Sequence, residues 1–379
     1  MVKRILPYCI ISAVVLLSTF ILWLPFLLRV SAIGSIPTPN LSFLDVYKHW
    51  DGVLYVVVAK TFYNIQSPLL QDSLLAIPLS PQYFAAHLPL YPFLIWLGSV
   101  VIGYLKSMVL WPVIFACLYG GAVYNFSKKL KLTDHPLILA IVALFVTPRF
   151  FIVRSVGAPE TIFLFFVVMS LYFFLQEKYW YAGFMGALAF LTKSPGILLF
   201  IGYSMYFAEE LIKTRKIKLS WLGISLIPLA FVGLCTLYAV QMNDFLAYFH
   251  SGDNIHLLFP PFQVFNSKAN WVGSARLEEI LFIFVFYILA LITVWGNRRL
   301  RPVFYTMLVF FLAIISVQHI DIARYSLPLL PFALVIFEKF FTSRKFLIAL
   351  VVLLPAVYMY AWNFMLYNQA PITLWGPLM

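Results

Sequence analysis

The chain has 379 residues, 63% of them hydrophobic and only 11% charged, a mixture from which no water-soluble globule of ordinary surface can be built, so its solvent is mostly lipid. The net charge of +12 would suggest nucleic acid in a soluble protein. Here Lys and Arg fall in short clusters between apolar runs, where they set membrane orientation, and no nucleic-acid partner is expected.

A hydrocarbon core about 30 Å thick needs about 20 mainly apolar residues per helical crossing. Lys3 and Arg4 precede the first such run, Ile5 to Leu28, which is too long for a secretory h-region. It reads as an uncleaved first span with its N-terminus inside. Residues 29 to 87 then form a long first external loop. Within it, Leu41 to Tyr63 reads as an amphipathic, interfacial helix, with Phe43, Val46, Trp50, Leu54 and Val57 at three- and four-residue steps. Further spans follow over 88 to 104, 107 to 126, 135 to 153 and 159 to 176. Next come two short helices, 180 to 191 and 195 to 208, meeting at Thr192-Lys193-Ser194-Pro195-Gly196, where Pro and Gly break the chain. After 219 to 241 comes a second large external loop, 242 to 278, and then spans over 279 to 296, 302 to 318, 325 to 341 and 346 to 365.

Open strands cannot satisfy their backbone in lipid, and no ten-residue alternation occurs, so the expected fold is an all-α polytopic membrane protein. One membrane domain over 1–379 with about 10–12 transmembrane helices is expected. Basic clusters at Lys128-Lys129-Lys131, Lys213-Arg215-Lys216-Lys218, Arg298-Arg299-Arg301 and Arg344-Lys345 mark cytoplasmic loops. One conflict arises: if 88 to 104 and 107 to 126 both cross, Lys128 to Lys131 fall on the wrong side. Either 88 to 104, interrupted by Pro89 and Pro92, is re-entrant or the charge rule fails there.

None of the 14 acidic residues is mid-span, whereas an ion or proton path usually carries a costly central carboxylate. Asp45, Asp51, Asp72, Glu160, Asp244, Asp253, Glu278, Glu279 and Asp321 all fall in or beside the external loops. Chemistry at the outer interface is therefore favoured over transport. Cys9, Cys117 and Cys235 lie in apolar runs, and the six histidines show no zinc-type spacing, so no metal site and no disulfide framework is expected.

Five fragments in order carry a resemblance. They are Trp50-Asp51-Gly52 followed by Tyr63, His87-Leu88-Pro89-Leu90-Tyr91-Pro92, Ser155-Val156-Gly157-Ala158-Pro159-Glu160, Gly186 to Leu191 with Thr192-Lys193-Ser194-Pro195-Gly196, and Arg324-Tyr325-Ser326-Leu327-Pro328. Together they resemble the PIG-V-like mannosyltransferases of the GT-C glycosyltransferase superfamily. Ala158-Pro159-Glu160 departs from the Tyr-Ser-Glu of that pattern.

The resemblance implies a GT-C-like fold and transfer of a sugar, mannose in that family, from a polyprenyl-phosphate donor with inversion, to a glycolipid or glycan acceptor, without a cofactor. The basic clusters put the site on the non-cytoplasmic face, and a bacterial cell membrane and an endoplasmic reticulum are both compatible with these spans. A hydroxyl that attacks sugar must lose its proton, and Asp51 is the first choice of base. Asp45 and Glu160 are the other acidic candidates. The leaving phosphate needs a cation, for which Lys193 and Arg324 are best placed, with Arg154 and Arg276 behind them. His49, Trp50 and His87 are assigned to the acceptor side, as are Asp244, His250, Asp253, His256 and Trp271 of the second loop. A lipid-linked sugar flippase or another polytopic transporter is the competing reading.

Overall fold

The computed structural model describes residues 2–34, 36–49, 51–77, 79–252, 257–275, 277–372 and 374–379. Trp50, Asp253, His256 and Arg276 lie outside them. Because lipid offers the backbone no hydrogen-bonding partner, long apolar runs fold as helices. In chain order these are α1 (Val2–Leu28), α2 (Leu44–Tyr47), α3 (Gly52–Thr61), α4 (Pro68–Ala76), α5 (Leu90–Ile102), α6 (Tyr104–Lys129), α7 (Pro136–Phe145), α8 (Pro148–Val153), α9 (Glu160–Phe174) and α10 (Tyr179–Thr192). They continue as α11 (Leu198–Thr214), α12 (Leu226–Met242), α13 (Ala247–His250), α14 (Asn270–Ala275), α15 (Glu279–Trp295), α16 (Arg301–Ile315), α17 (Ile322–Tyr325), α18 (Leu330–Ile336), α19 (Glu338–Phe341) and α20 (Arg344–Tyr367). The described sheet is a two-residue antiparallel pair, Ala32–Ile33 with Ile36–Pro37.

Four helices among the described residues are long and apolar enough to cross a membrane: Arg4–Leu28, Tyr104–Lys129, Leu219–Met242 and Arg344–Tyr367. Other runs that read as single spans are broken helices. Pro148 separates α7 from α8, and a 3-10 turn at Leu327–Leu329 separates α17 from α18. Each break falls where proline removes a backbone donor and crowds the preceding turn.

The reading of Leu41 to Tyr63 as one amphipathic surface helix is corrected. It is two helices, and nine of the ten residues of α3 are buried, only Lys60 being partly open. The apolar three- and four-residue steps look amphipathic, but the intervening Tyr55, Val56, Val58 and Ala59 are apolar too, so every face seeks cover.

Helix α5 packs on the first turns of α6: its Tyr91 hydroxyl donates to Met108 O at 2.5 Å, and Ser107 Oγ donates to Ile95 O at 2.7 Å. The C-terminal end of α6 lies beside the N-terminal end of α1, where Tyr8 donates to Asn125 Oδ1 at 2.6 Å.

Lipid tails are as apolar as leucine, so close approach of small residues does much of the helix association. A β-carbon at Gly183 in α10 would lie 1.9 Å from the Gly223 carbonyl oxygen, which shows how tightly α10 packs on the turn before α12.

Candidate active site

Asp51 sits where α2 has ended and α3 begins, with φ +75°, a left-handed value uncommon for a residue with a β-carbon. The next residue, Gly52, permits a second unusual feature. A β-carbon there would lie 2.8 Å from Gly157 O, and one at Gly157 would lie 3.0 Å from Gly52 Cα. Backbone touches backbone, and the Asp51 turn is pressed against the loop that leads into α9.

Glu160 is the first residue of α9, where a carboxylate suits the unpaired N–H groups of a helix N-terminus. Its side chain is only 3% exposed, and its Oε1 lies 2.7 Å from Lys193 Nζ and 2.7 Å from Arg324 Nε. The same guanidinium extends Nη2 to Asp51 Oδ2 at 2.8 Å. Arg324 thus forks between two carboxylates, a task for which lysine lacks the geometry. Lys193 arrives from the break between α10 and α11. Arg324 arrives from α17, whose cap Asp321 accepts a hydrogen bond from the Arg324 amide. Asp321 also pairs with Arg149 Nε at 2.9 Å, and the Arg149 guanidinium lies 3.8 Å from the centre of the Phe364 ring.

These groups surround a cavity of about 410 Å³ lined by Asp51, Tyr55, His87, Arg149, Lys193, Tyr248, His319, Asp321, Arg324, Tyr325, Phe364 and Asn368, among others. Asp51 is 33% exposed and opens onto it. Burial would raise the Asp51 carboxyl, but the Arg324 guanidinium overcomes this and holds it below the usual aspartate range. Burial pushes the His87 imidazole down to about 4 and that of His49 down to about 3, so both are neutral near pH 7. Among the described residues no three His, Cys, Asp or Glu side chains gather into a metal-binding group. The carboxylates face cations instead.

Beside the polar cavity runs an apolar groove of about 530 Å³. Phe190, Ile197, Leu198, Phe231, Phe249, Leu257, Phe310, Ile314 and Val317 line it, and it shares Ser194, Pro195, Tyr248 and Tyr325 with the polar cavity. A ligand with a charged head and an apolar chain would find both halves of its surroundings here.

Asp51, Glu160, Lys193, Arg324 and His87 therefore meet at one place. Others do not. Asp45 is turned away: its Oδ2 accepts from the Ser42 amide at 2.9 Å and its Oδ1 from Gln369 Nε2 at 3.4 Å. Ser42 Oγ also donates to Asp45 Oδ2 at 3.4 Å, so this carboxylate is engaged at the start of α2. Arg154 is wholly buried elsewhere, with Nη2 donating to Ser18 Oγ at 2.8 Å and its guanidinium against Phe151. His49, 2% exposed, packs behind the cavity wall against Phe364. In the second loop Asp244 pairs with His250 at 2.7 Å, and Trp271 Nε1 donates to Val264 O at 3.3 Å. Of the described residues of that loop, Tyr248 lines the cavity.

Sequence reasoning missed Tyr55, Arg149, His319, Tyr325 and Asn368 as lining residues. Arg149 was the findable one, since Thr147-Pro148-Arg149 is a proline break just before an external loop, like the break that carries Lys193.

No family model and no curated protein matches the sequence. Among solved structures, the chain is similar to the oligosaccharyltransferase of Archaeoglobus fulgidus in its apo form, with a TM-score of 0.55 and 13% identity, covering 96% of this chain and 57% of that one. The same protein tethered to an acceptor peptide containing the NVT sequon aligns with a TM-score of 0.49 and 12% identity, covering 96% of this chain and 56% of that one. This chain thus spans little more than half the length of these neighbours. The likeness is one of fold, all-α and GT-C-like, in an integral membrane protein.

Proposed function

We propose that this chain is an inverting glycosyltransferase that moves a sugar, mannose in our reading, from a polyprenyl-phosphate donor to a hydroxyl of a lipid-linked or cell-surface acceptor. The observation that carries the reading is the junction of the polar cavity with the apolar groove. Cations stand at the joint, and Asp51 opens onto the cavity. The donor's phosphate would meet Lys193 and Arg324 there, while its isoprenoid chain follows the groove.

The chemistry is a single displacement. The acceptor oxygen forms a bond to the anomeric carbon as the bond from that carbon to the phosphate oxygen breaks. The hydroxyl proton passes to Asp51, and the departing phosphate takes up negative charge that Arg324 and Lys193 stabilise. In the free site Arg324 engages the Asp51 carboxylate, so a phosphate competing for that guanidinium would free Asp51 to accept the proton. Glu160 anchors both cations, and His87, neutral, borders the acceptor space.

Orientation supports a non-cytoplasmic site, in a bacterial cell membrane or an endoplasmic reticulum, because the basic clusters gather at the opposite helix ends. The test is transfer from labelled polyprenyl-phosphate mannose in membranes carrying an Asp51→Asn variant. Loss of a general base reduces the rate by about 10² to 10⁴-fold. Transfer by the variant at the parent's rate would remove Asp51 from the chemistry, and a parent inactive with every acceptor offered would remove the transferase reading.

A further inference from the structure

The segment Leu257-Leu258-Phe259-Pro260-Pro261-Phe262 has an irregular backbone, yet its side chains face away from the protein. Phe259 is 92% exposed, Leu257 59% and Phe262 48%. A soluble protein rarely leaves such a patch open to water. A loop entering lipid has the opposite difficulty, since each unpaired backbone donor costs several kcal/mol there.

Four of these six residues, Leu258, Pro260, Pro261 and Phe262, leave no backbone donor unpaired. Pro260 and Pro261 have no N–H to satisfy. Leu258 donates to Ser316 O at 2.8 Å and Phe262 to Ile315 O at 2.6 Å, which also occupies carbonyls left open at the end of α16. Leu257 bridges to Val317, and Pro260 O accepts from Gln263 Nε2 at 3.0 Å. The apolar tip continues the exposed apolar face of α15, where Phe282 is 74% exposed, and Phe262 meets Phe284 ring to ring at 5.9 Å. Behind it the chain turns polar, through Asn266 to exposed Lys268. That order, apolar tip and polar shoulder, is the depth profile of an interface.

We propose that residues 257 to 262 form a lip dipped into the acyl region of the membrane leaflet on the cavity's side, so that its partner is lipid hydrocarbon. Leu257 also lines the apolar groove, and the lip therefore joins that groove to the bilayer. The inference rests on the membrane setting and not on the reaction proposed above.

The test uses the full chain in phosphatidylcholine and phosphatidylglycerol vesicles. Nitroxides are placed by Phe259→Cys and Lys268→Cys, with Cys9, Cys117 and Cys235 replaced by alanine. Collisions with oxygen should exceed those with a water-soluble nickel chelate several-fold at 259, with the order reversed at 268. A 259 label that meets the chelate as readily as 268 does would overturn the proposal. The unaltered chain gives a second reading: peptide 257–262 should take a carbene label from the lipid phase and resist hydroxyl radicals from water, and the reverse pattern would overturn it equally. Neither measurement depends on sugar transfer.

Discussion

At the residue scale, the cavity balances charge by geometry. Three carboxylates, Asp51, Glu160 and Asp321, meet three cations, Lys193, Arg324 and Arg149, at 2.7 to 2.9 Å. Neutral histidine beside such an array has a measurable consequence. His87 is held at about 4 by burial, against the pull of Asp51, while its ordinary value is 6.5. A buried imidazole with a depressed value binds fewer protons folded than unfolded, so its contribution to stability is whole above the unfolded value and is lost as pH falls from about 6.5 through about 4. The midpoint of thermal unfolding in detergent should fall across that window in the parent and fall less steeply in a His87→Gln variant. Parallel curves would mean that His87 does not titrate as described.

At the scale of elements, the site depends on one close approach, Gly52 on Gly157, that sets the Asp51 turn against the start of α9. Gly52→Ala puts a methyl group 2.8 Å from Gly157 O and 2.9 Å from Met108 Sδ. Overpacking of this kind costs about 1–3 kcal/mol. Because it must part the two backbones, the transfer activity proposed above should fall further than the loss of folded protein explains, with Asp51 and Arg324 still present. Full activity at reduced stability would show that the turn tolerates displacement.

Much of this was legible in sequence. The Thr192-Lys193-Ser194-Pro195-Gly196 break shows itself because Pro and Gly leave few alternatives in an apolar run, and the order of acidic and basic residues placed Asp51, Glu160, Lys193 and Arg324 at span ends on one side. Asp45 was less legible, since its bond to the Ser42 amide depends on where α2 starts. Arg154 was misplaced for a similar reason: it follows Arg149 by five residues, and only the short α8 between them decides which of the two turns to the cavity and which to Ser18. Periodicity cannot make that distinction.

For the whole molecule, the arrangement of helix ends implies an orientation. Glu209 near the end of α11 pairs with Lys213 and lies 3.7 Å from Arg301 at the start of α16, Lys218 pairs with Glu177 at 3.2 Å, and Thr133 donates to Glu338 at 2.9 Å. The lysine- and arginine-rich loops are thereby gathered at one end, with the N-terminal end of α1 beside α6. The cavity belongs to the other, between the far ends of α10, α16 and α20. Cations flanking spans stay on the cytoplasmic side, so the cavity end should face away from the cytoplasm. Single cysteines at Gln71, exposed on α4, and at Lys216, exposed after α11, make the check in a chain otherwise without cysteine. A thiol reagent that does not cross membranes should modify Gln71→Cys in intact cells and reach Lys216→Cys only after the membrane is opened. Modification in the opposite order would invert the molecule and leave the cavity facing cytoplasmic substrates, which a donor presented on the outer face could not reach.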